Sequence, residues 1–356
     1  MNNNIIFALL ANENQNSTLQ WEKSCKKYGI KFDIIDLTAS DWLEKVKMRK
    51  YDCFLLKPPG EVQRFKDLYN ERVYIISKVL KYFVYPKYEE IIYHENKKLL
   101  AYFLEAENIP HPNTKIYYSK KEAYYHINNC KYPIVGKTSI GASGSGVKII
   151  NNYKAAKSYV DNAFSKRGIK RRFGPNRKIG SPVKWFMKTL HDYDYFKKRL
   201  KKYFEILSDR QIGLIIFQEY ICHDYEWRIV KIGQSYFGHK KTKIGEMASG
   251  TKGIEYVHPQ ESLLTFVKNI CDKYHFNSMA VDIFEHEDHG YVINEMQTIF
   301  GHVQSYIMKV GEKIGRYVNI KGEWIFEEGD FNTNESYDLR VNDVINLKSN
   351  EQRTQK

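Results

Sequence analysis

The sequence predicts a mixed α/β protein in which a small parallel-sheet unit precedes a larger, hairpin-built body. Three observations predict it. Apolar strand-like runs alternate with helical patterns over roughly the first 90 residues. Two hairpin patterns, at 132–150 and 278–297, carry small or acidic residues where their strands end. A chain of 356 residues with 42% apolar content has ample material for one large or two to three smaller cores.

Residues 4–11 read as a buried strand, and 17–28 as a helix with Leu19, Trp21 and Cys25 on its core side. Residues 31–37 read as a second strand, a helix follows around Trp42, and 52–56 form a third strand. Pro58-Pro59-Gly60 breaks the chain before a helix expected over 65–83, and Tyr85-Pro86 closes a first domain at 1–86. A helix over 94–108 comes next, ended by Asn108-Ile109-Pro110. Lys97 in its first turn opposes the helix dipole, an unfavourable placement unless an anion sits there.

The hairpin at 132–150 has a tip of small residues. Gly141, Gly144 and Gly146 permit positive φ and close backbone approach, and Ser139, Ser143 and Ser145 add hydroxyl donors. Successive free N–H groups in such a loop make a concavity for anions, and Lys137 at its entrance supplies a point charge. The loop is not a Walker A motif, because Val147 follows Gly146, and Ile149 replaces the third glycine of a dinucleotide fingerprint. The alternative reading, second to anion binding, is a bare hairpin tip with no ligand.

Residues 155–164 form the next expected helix. Between Lys166 and Tyr203 fourteen Lys/Arg stand against two Asp, so this window holds +12 of the net +14 and reads as an insertion between core elements. Its interleaved aromatics leave open a solvated face, an anionic membrane surface or, least expected, nucleic acid. A strand over 213–218 follows, then a pair at 226–232 and 235–241 turning at Gly233-Gln234. A helix over 263–274 leads into the hairpin 278–297; beyond 320 the chain turns polar, and 348–356 reads as a disordered tail. Further domains are thus expected at 87–220, 221–319 and 320–356.

The five cysteines are odd in number and contain no C-x-x-C pair, which argues for reduced thiols in a cytoplasm and against a zinc site. No apolar run is long enough to span a bilayer.

In the hairpin 278–297, pairing brings Asp282 beside Glu295, and Gln297 shares the Glu295 face because the strand period is two. Two carboxylates converging on apolar strands call for a cation, and hard oxygen donors suit Mg²⁺ shared with phosphates. Upstream, Gln218-Glu219-Tyr220-Ile221 continues an apolar strand into a polar hinge whose backbone groups suit an adenine edge. Glu226 suits ribose hydroxyls, Arg228 a phosphate, and Lys240 on the next strand is expected to join it.

This ordered set resembles the ATP-grasp superfamily, especially ribosomal-protein glutamate ligases and polysaccharide-cluster members. It comprises His94-Glu-Asn-Lys97, Tyr132–Val147, Gln218–Ile221, Glu226-x-Arg228, Asp282 and Glu295-x-Gln297. The resemblance covers about residues 85–305. It implies a nucleotide bound between two antiparallel-sheet subdomains behind a parallel α/β domain. It also implies that Lys97 and Lys137 hold the α- and β-phosphates while Ser139–Gly146 closes over the β/γ-phosphates. Gln218–Ile221 would line the adenine pocket, Glu226 would take the ribose, and Arg228 and Lys240 would stabilise the transferred phosphoryl group. Asp282, Glu295 and Gln297 would bind two Mg²⁺ ions. Two positions depart from the pattern: Gln297 stands where the family has Asn, and Met247 where relatives tend to have Arg.

The activity implied is ATP-dependent joining of a carboxylate to an amine through an acyl phosphate, on an amino-acid, peptide or cell-surface glycan precursor. The alternatives are a phosphotransferase on the same fold and an ATP-regulated module that binds anionic surfaces. The expected partners are a small-molecule or glycan carboxylate, an amine and a second copy of the chain. The expected place is the cytoplasm, extending to the inner membrane face through 166–203.

Overall fold

The parallel N-terminal sheet is assembled from β1 (Ile6–Ala11), β2 (Lys31–Asp36), β3 (Cys53–Leu56) and β4 (Val84–Tyr85). The order is β2-β1-β3-β4, with every neighbour parallel. The molecule is known from a computed structural model that describes residues 5–14, 16–141, 144–172, 193–244, 247–248, 253–286, 290–300 and 304–354. Strands β1 and β3 are near-continuous apolar runs because both sheet faces are covered. One face packs Ala8, Leu10, Phe54 and Leu56 against Tyr69 and Val73 of α3 (Gln63–Tyr74). The other packs Phe7, Leu9 and Leu55 against Trp21 of α1 (Leu19–Lys27) and against Tyr337, Val341 and Val344. Helix α2 (Trp42–Lys47) closes the side of β2. The helix expected over 65–83 stops earlier: α3 passes into one π turn, Ile75–Val79, and Lys81 then takes φ 59.

After α4 (Tyr88–Ile91) and α5 (Lys97–Ala106), a second, antiparallel sheet is built from β5 (Thr114–Tyr117), β6 (Ile134–Lys137), β7 (Val147–Ile150) and β8 (Ile215–Glu219). It runs β5-β8-β6-β7. Helices α6 (Lys120–Asn129) and α7 (Tyr153–Ala163) cover it with Ala123, Ile127, Ala156 and Val160. Strand β5 and helix α6 have no counterpart in the sequence reading. Four-residue strands and polar amphipathic helices give weak periodicity.

The end of the basic segment forms α8 (Tyr193–Ser208), and part of it is held against the N-terminal unit. Lys202 pairs with Glu61 at 2.6 Å, Arg64 approaches Glu205 at 3.5 Å, and just past the helix Asp209 accepts from Gln63 N at 3.0 Å and pairs with Arg171 at 2.5 Å. The remainder of the segment expected to face an anionic surface, residues 173–192, lies outside the described residues.

The third sheet contains β9 (Tyr225–Ile232), β10 (Ser235–Ile244), β11 (Met247–Ala248), β12 (Ile254–Glu255), β13 (Ser278–His286), β14 (Gly290–Gln297), β15 (Lys309–Val310), β16 (Lys313–Ile320) and β17 (Glu323–Glu328). Its main path is β14-β13-β9-β10-β16-β15. Helix α9 (Glu261–Lys273) lays Leu263, Leu264, Val267 and Cys271 on it. Beyond 320 the chain is neither a plain polar extension nor a disordered tail from 348. β17 pairs with β16, and α10 (Tyr337–Thr354) returns to the N-terminal sheet. Its low apolar content hid it, since only one narrow face is buried.

The link between the first and last thirds of the chain is aromatic as well as aliphatic. Trp21 is fully buried, edge-on to Tyr337 at 4.6 Å and to Tyr85 at 6.4 Å between ring centroids. Trp21→Ala should cost about 3–5 kcal/mol in denaturant unfolding. A loss below about 1 kcal/mol would show that α10 does not complete this core.

Candidate active site

The second and third sheets face each other across the residues singled out in the sequence. From the second sheet come Lys137, the last residue of β6 and only 7% exposed, and the loop that follows it. Thr138 N donates to Gly146 O at 2.9 Å, Thr138 Oγ1 to Ile140 O at 2.7 Å, and Val147 N to Gly144 O at 3.2 Å. Gly146 is obligatory, because a Cβ there would lie 1.8 Å from Thr138 Oγ1, and Gly141 takes φ +137. Ser139 N donates to Gln211 Oε1 at 2.7 Å, and Ser145 O accepts from Arg172 N. Ser143 lies outside the described residues. The loop is fastened to the start of α5. Lys97 N donates to Ser139 O at 2.8 Å, and Lys97 Nζ donates to Gly141 O at 2.9 Å. Asn96 caps the helix by accepting from Leu99 N, so Lys97 occupies its first turn.

From the third sheet come the acids. Asp282 pairs with Glu295 in the β13–β14 ladder, and Gln297 follows on the Glu295 face. The ladder shifts register between Asp282 and Ile283, a bulge that turns Asn294 to the same side as Glu295. Strict alternation would send Asn294 to the opposite face, so the sequence reading missed it. Asn294 now bridges the two sheets: its Oδ1 accepts from Lys137 Nζ at 3.0 Å, and its Nδ2 donates to Glu226 Oε1 at 3.2 Å.

The chain of contacts continues through β9 and β10. Lys241 Nζ lies 2.7 Å from Glu226 Oε2 and 2.6 Å from Asp282 Oδ2. Arg228 holds Asp282 with two parallel bonds, Nε to Oδ1 and Nη2 to Oδ2, both 2.8 Å. The lysine facing the site is therefore Lys241, and the expectation for Lys240 is corrected. Lys240 sits on the other face of the sheet, with its ammonium 3.7 Å from the Tyr225 ring centroid and 5.0 Å from that of Trp227. The signal was present in the sequence. A turn at Gly233-Gln234 that pairs Ile232 with Ser235 also sets Lys241 opposite Glu226.

A second cluster surrounds Lys97. Its ammonium lies 3.2 Å from Glu95 Oε2 and 3.4 Å from Glu295 Oε1, and Gln297 Nε2 donates to Glu95 Oε1 at 2.9 Å. Glu95, which has φ 49, is a buried acid that the sequence reading did not single out. Of the expected adenine-side residues, Gln218 is buried with its Nε2 on Thr114 Oγ1, and Glu219 Oε1 accepts from Asn113 N. Lys243 donates to Tyr220 Oη, while Ile221 packs with Phe284 and Val292.

Burial pulls the Lys137 ammonium down to about 8, with Glu295 opposing and Lys97 reinforcing the shift. Burial also disfavours the charge of Lys97, but Glu95 and Glu295 outweigh it and push that ammonium up to about 12. Burial raises the Asp282 carboxyl, yet Arg228 and Lys241 overcome it and hold the group well below the usual carboxylate range. Glu95, with burial dominant and Glu295 nearby, is raised.

The donor set fits a hard cation. Gln297 gives its N–H to Glu95, leaving its amide oxygen as the acceptor beside Glu295. Asp282 is engaged through both oxygens by cations, so in this state it is a salt-bridge hub rather than an open ligand. Among the described residues, no three His, Cys, Asp or Glu side chains are grouped to hold a metal by themselves. Oxygens from a bound polyphosphate would have to complete the shell, as is usual for Mg²⁺.

In comparison with known proteins, the chain has the ATP-grasp fold. It superposes on D-alanine–D-alanine ligase from Bacillus anthracis with a TM-score of 0.59 at 13% identity, over 99% of this chain and 100% of that one. A RimK domain ATP-grasp protein from Sphaerobacter thermophilus gives a TM-score of 0.50 at 15% identity, over 82% and 89%. In sequence, the chain is 24% identical over 238 residues to the alpha-aminoadipate–LysW ligase LysX of Saccharolobus solfataricus, covering 66% of this chain and 73% of that protein. No protein-family model matches it.

Removing the Asp282 charge would leave Arg228 and Lys241 buried without their shared partner. Asp282→Asn should therefore destabilise the protein by about 3–5 kcal/mol in urea unfolding. A stability equal to the parent would show that the two cations are solvated and the hub is loose.

Proposed function

We propose that the chain is an ATP-dependent carboxylate–amine ligase that releases ADP and phosphate. One observation carries the reading. Lys97, Lys137 and a glycine-built loop on one side face Glu295, Gln297, Asp282, Arg228 and Lys241 on the other, in two clusters of contacts that meet at the consecutive residues Asn294 and Glu295. Cations and N–H groups opposed to hard oxygen donors form the environment that a metal-bound polyphosphate needs.

In this reading Lys97 and Lys137 neutralise the α- and β-phosphates, and the loop 139–146 covers the β/γ-phosphates. Residues 218–221 receive the adenine and Glu226 the ribose. Glu295 and Gln297 would hold Mg²⁺, with Asp282 added if a second ion is bound; the metal supplies charge neutralisation at the transferred group. Arg228 and Lys241 face the point where charge develops as the substrate carboxylate attacks the γ-phosphorus. They then stabilise the acyl phosphate until an amine displaces phosphate from the acyl carbon, losing its proton as the amide forms. The protein's contribution is mainly orientation and fixed charge. Among the described residues no helix is long and apolar enough to cross a membrane. The free cysteines suit a reducing compartment, and the acid proposed is a small molecule or glycan-linked.

Incubation with Mg-ATP and pools of carboxylates and amines should release ADP and phosphate together only when both pools are present. ADP without phosphate would point to phosphoryl transfer onto a hydroxyl, and no turnover would point to a binding module. Lys137→Ala and Glu295→Ala should each abolish turnover with folding retained; rates like the parent's in either would refute the site.

The pH profile follows from Lys137. Its ammonium must be charged to hold a phosphate, and in the free protein it loses its proton near pH 8 rather than near 10.5. The kcat/KM for ATP should therefore fall about tenfold per pH unit above roughly pH 8. Lys137→Arg should move that limb upward, and a flat profile to pH 10 would contradict the assignment.

A further inference from the structure

Outside the phosphate-facing set, three cations lie at the seam between the N-terminal sheet and the rest of the protein without a carboxylate within ion-pair distance among the described residues. They are Lys57, Lys66 and Arg340. Lys66 is accounted for locally, since its ammonium donates to Ile91 O at 2.8 Å. Lys57 and Arg340 are not. Arg340 is fully buried; its Nε donates to Ser278 Oγ at 3.1 Å and its Nη1 to Glu335 O at 3.3 Å, while Nη2 has no partner. The Lys57 ammonium lies 5.7 Å from the centroid of the Tyr337 ring, and the Arg340 guanidinium lies 5.4 Å from the same centroid. Two cations thus lie near one aromatic ring, and Arg340 also lies 4.8 Å from the Phe300 ring centroid. Burial lowers the pKa of both groups; Glu335 opposes it at Lys57, and Tyr337, Tyr85, Glu90 and Glu335 oppose it at Arg340, none of them through an ion pair. Uncompensated charge of this kind is costly to bury unless something anionic arrives to balance it.

The location adds chemistry. Lys57 follows β3 at the carboxyl end of the parallel sheet, the edge where open α/β sheets bind ligands. Its backbone is pinned: Lys57 N donates to Tyr69 Oη at 3.1 Å, and Lys57 O accepts from Asn12 Nδ2 at 2.8 Å. Three residues on, Gly60 presses against the Glu95 turn, where an added Cβ would meet Glu95 Cγ at 2.8 Å and His94 Nε2 at 3.6 Å. His94 is buried with Nδ1 unpartnered, and its imidazole is kept neutral by burial and by the charges of Lys66, Lys97 and Lys57. A path of polar groups therefore runs from Arg340 past Lys57 to His94 and Glu95, and so to Lys97 and Glu295.

We propose that the carboxylate substrate lies between the carboxyl ends of β1 and β3 and the Glu95–Lys97 turn, and that it carries a second anionic group, a carboxylate or a phosphate, bound by Lys57. Arg340, also beside the Tyr337 ring, acts through the field it adds and through holding Tyr337 in place; it is a positioning residue. The first carboxylate then reaches the phosphoryl-transfer end of the site while the second anion anchors the far end. The proposal rests on the ligase reading and extends it from an acid to a dianionic acid.

The test uses the full chain saturated with Mg-ADP, titrated with α,ω-dicarboxylates from succinate to pimelate, with 3-phosphonopropanoate, and with pentanoate as the monoanion. Binding is read from saturable thermal shifts and from the NMR signals of reductively ¹³C-methylated lysines. At least one dianion should bind tenfold or more tighter than pentanoate and perturb one lysine signal. The tightest arm tells carboxylate from phosphate. Lys57→Met should erase that preference without lowering the melting temperature or weakening Mg-ADP binding, and Lys57→Arg should retain most of it. Equal binding of dianions and pentanoate, a preference that survives Lys57→Met, or a melting temperature that collapses in that variant would overturn the proposal. Failure of Mg-ADP itself to bind would overturn the ligase reading instead, so the two are separable.

Discussion

Four buried or half-buried carboxylates, Glu95, Glu226, Asp282 and Glu295, are balanced by four cations, Lys97, Lys137, Arg228 and Lys241, and the rest of the structure serves that balance. None of these eight charges could be carried into the protein alone, because desolvation would shift its protonation or unfold the region. They are held by contacts short enough to be decisive, such as the paired 2.8 Å bonds of Arg228 to Asp282 and the 2.6 Å contact of Lys241. The two clusters together are neutral in formal charge. In the ligase reading, a polyphosphate and its metal would enter by exchanging partners: phosphate oxygens would replace Asn294 on Lys137 and Glu95 and Glu295 on Lys97, freeing carboxylate oxygens for the cation.

The architecture follows from where those charges must stand. Lys137 ends a short strand of the second sheet, and the acids end or interrupt long strands of the third. The bond of Lys137 to Asn294 is the polar tie between the two faces, and the loop after Lys137 is latched to α5 by Lys97. The N-terminal unit supplies a third wall. Its own core is finished by a helix from the far end of the chain, so the wall is fixed in place by Trp21, Tyr85 and Tyr337.

Much of this was legible from residue order. The Asp282–Glu295 pairing follows from a hairpin and a period of two, and the glycine loop follows from composition. What escaped the sequence was any feature that depends on a break in regularity. A single bulge moves Asn294 into the site, and φ 49 at Glu95 turns a third acid toward Lys97. Lys240 and Lys241 are neighbours on a strand where adjacent side chains face opposite ways, and the β9–β10 register carried down from its turn sets Lys241 opposite Glu226. Helix α10 was obscured because its long polar surface outweighs the few residues it buries.

The central claim is that the opposed cations and acids constitute a site for metal-bound nucleotide. Isothermal titration of ADP into the protein, with Mg²⁺ and then with the metal chelated, tests it most directly. The account predicts saturable one-to-one binding that weakens at least tenfold when Mg²⁺ is removed. Absence of heat with Mg-ADP, or an affinity indifferent to the metal, would contradict it.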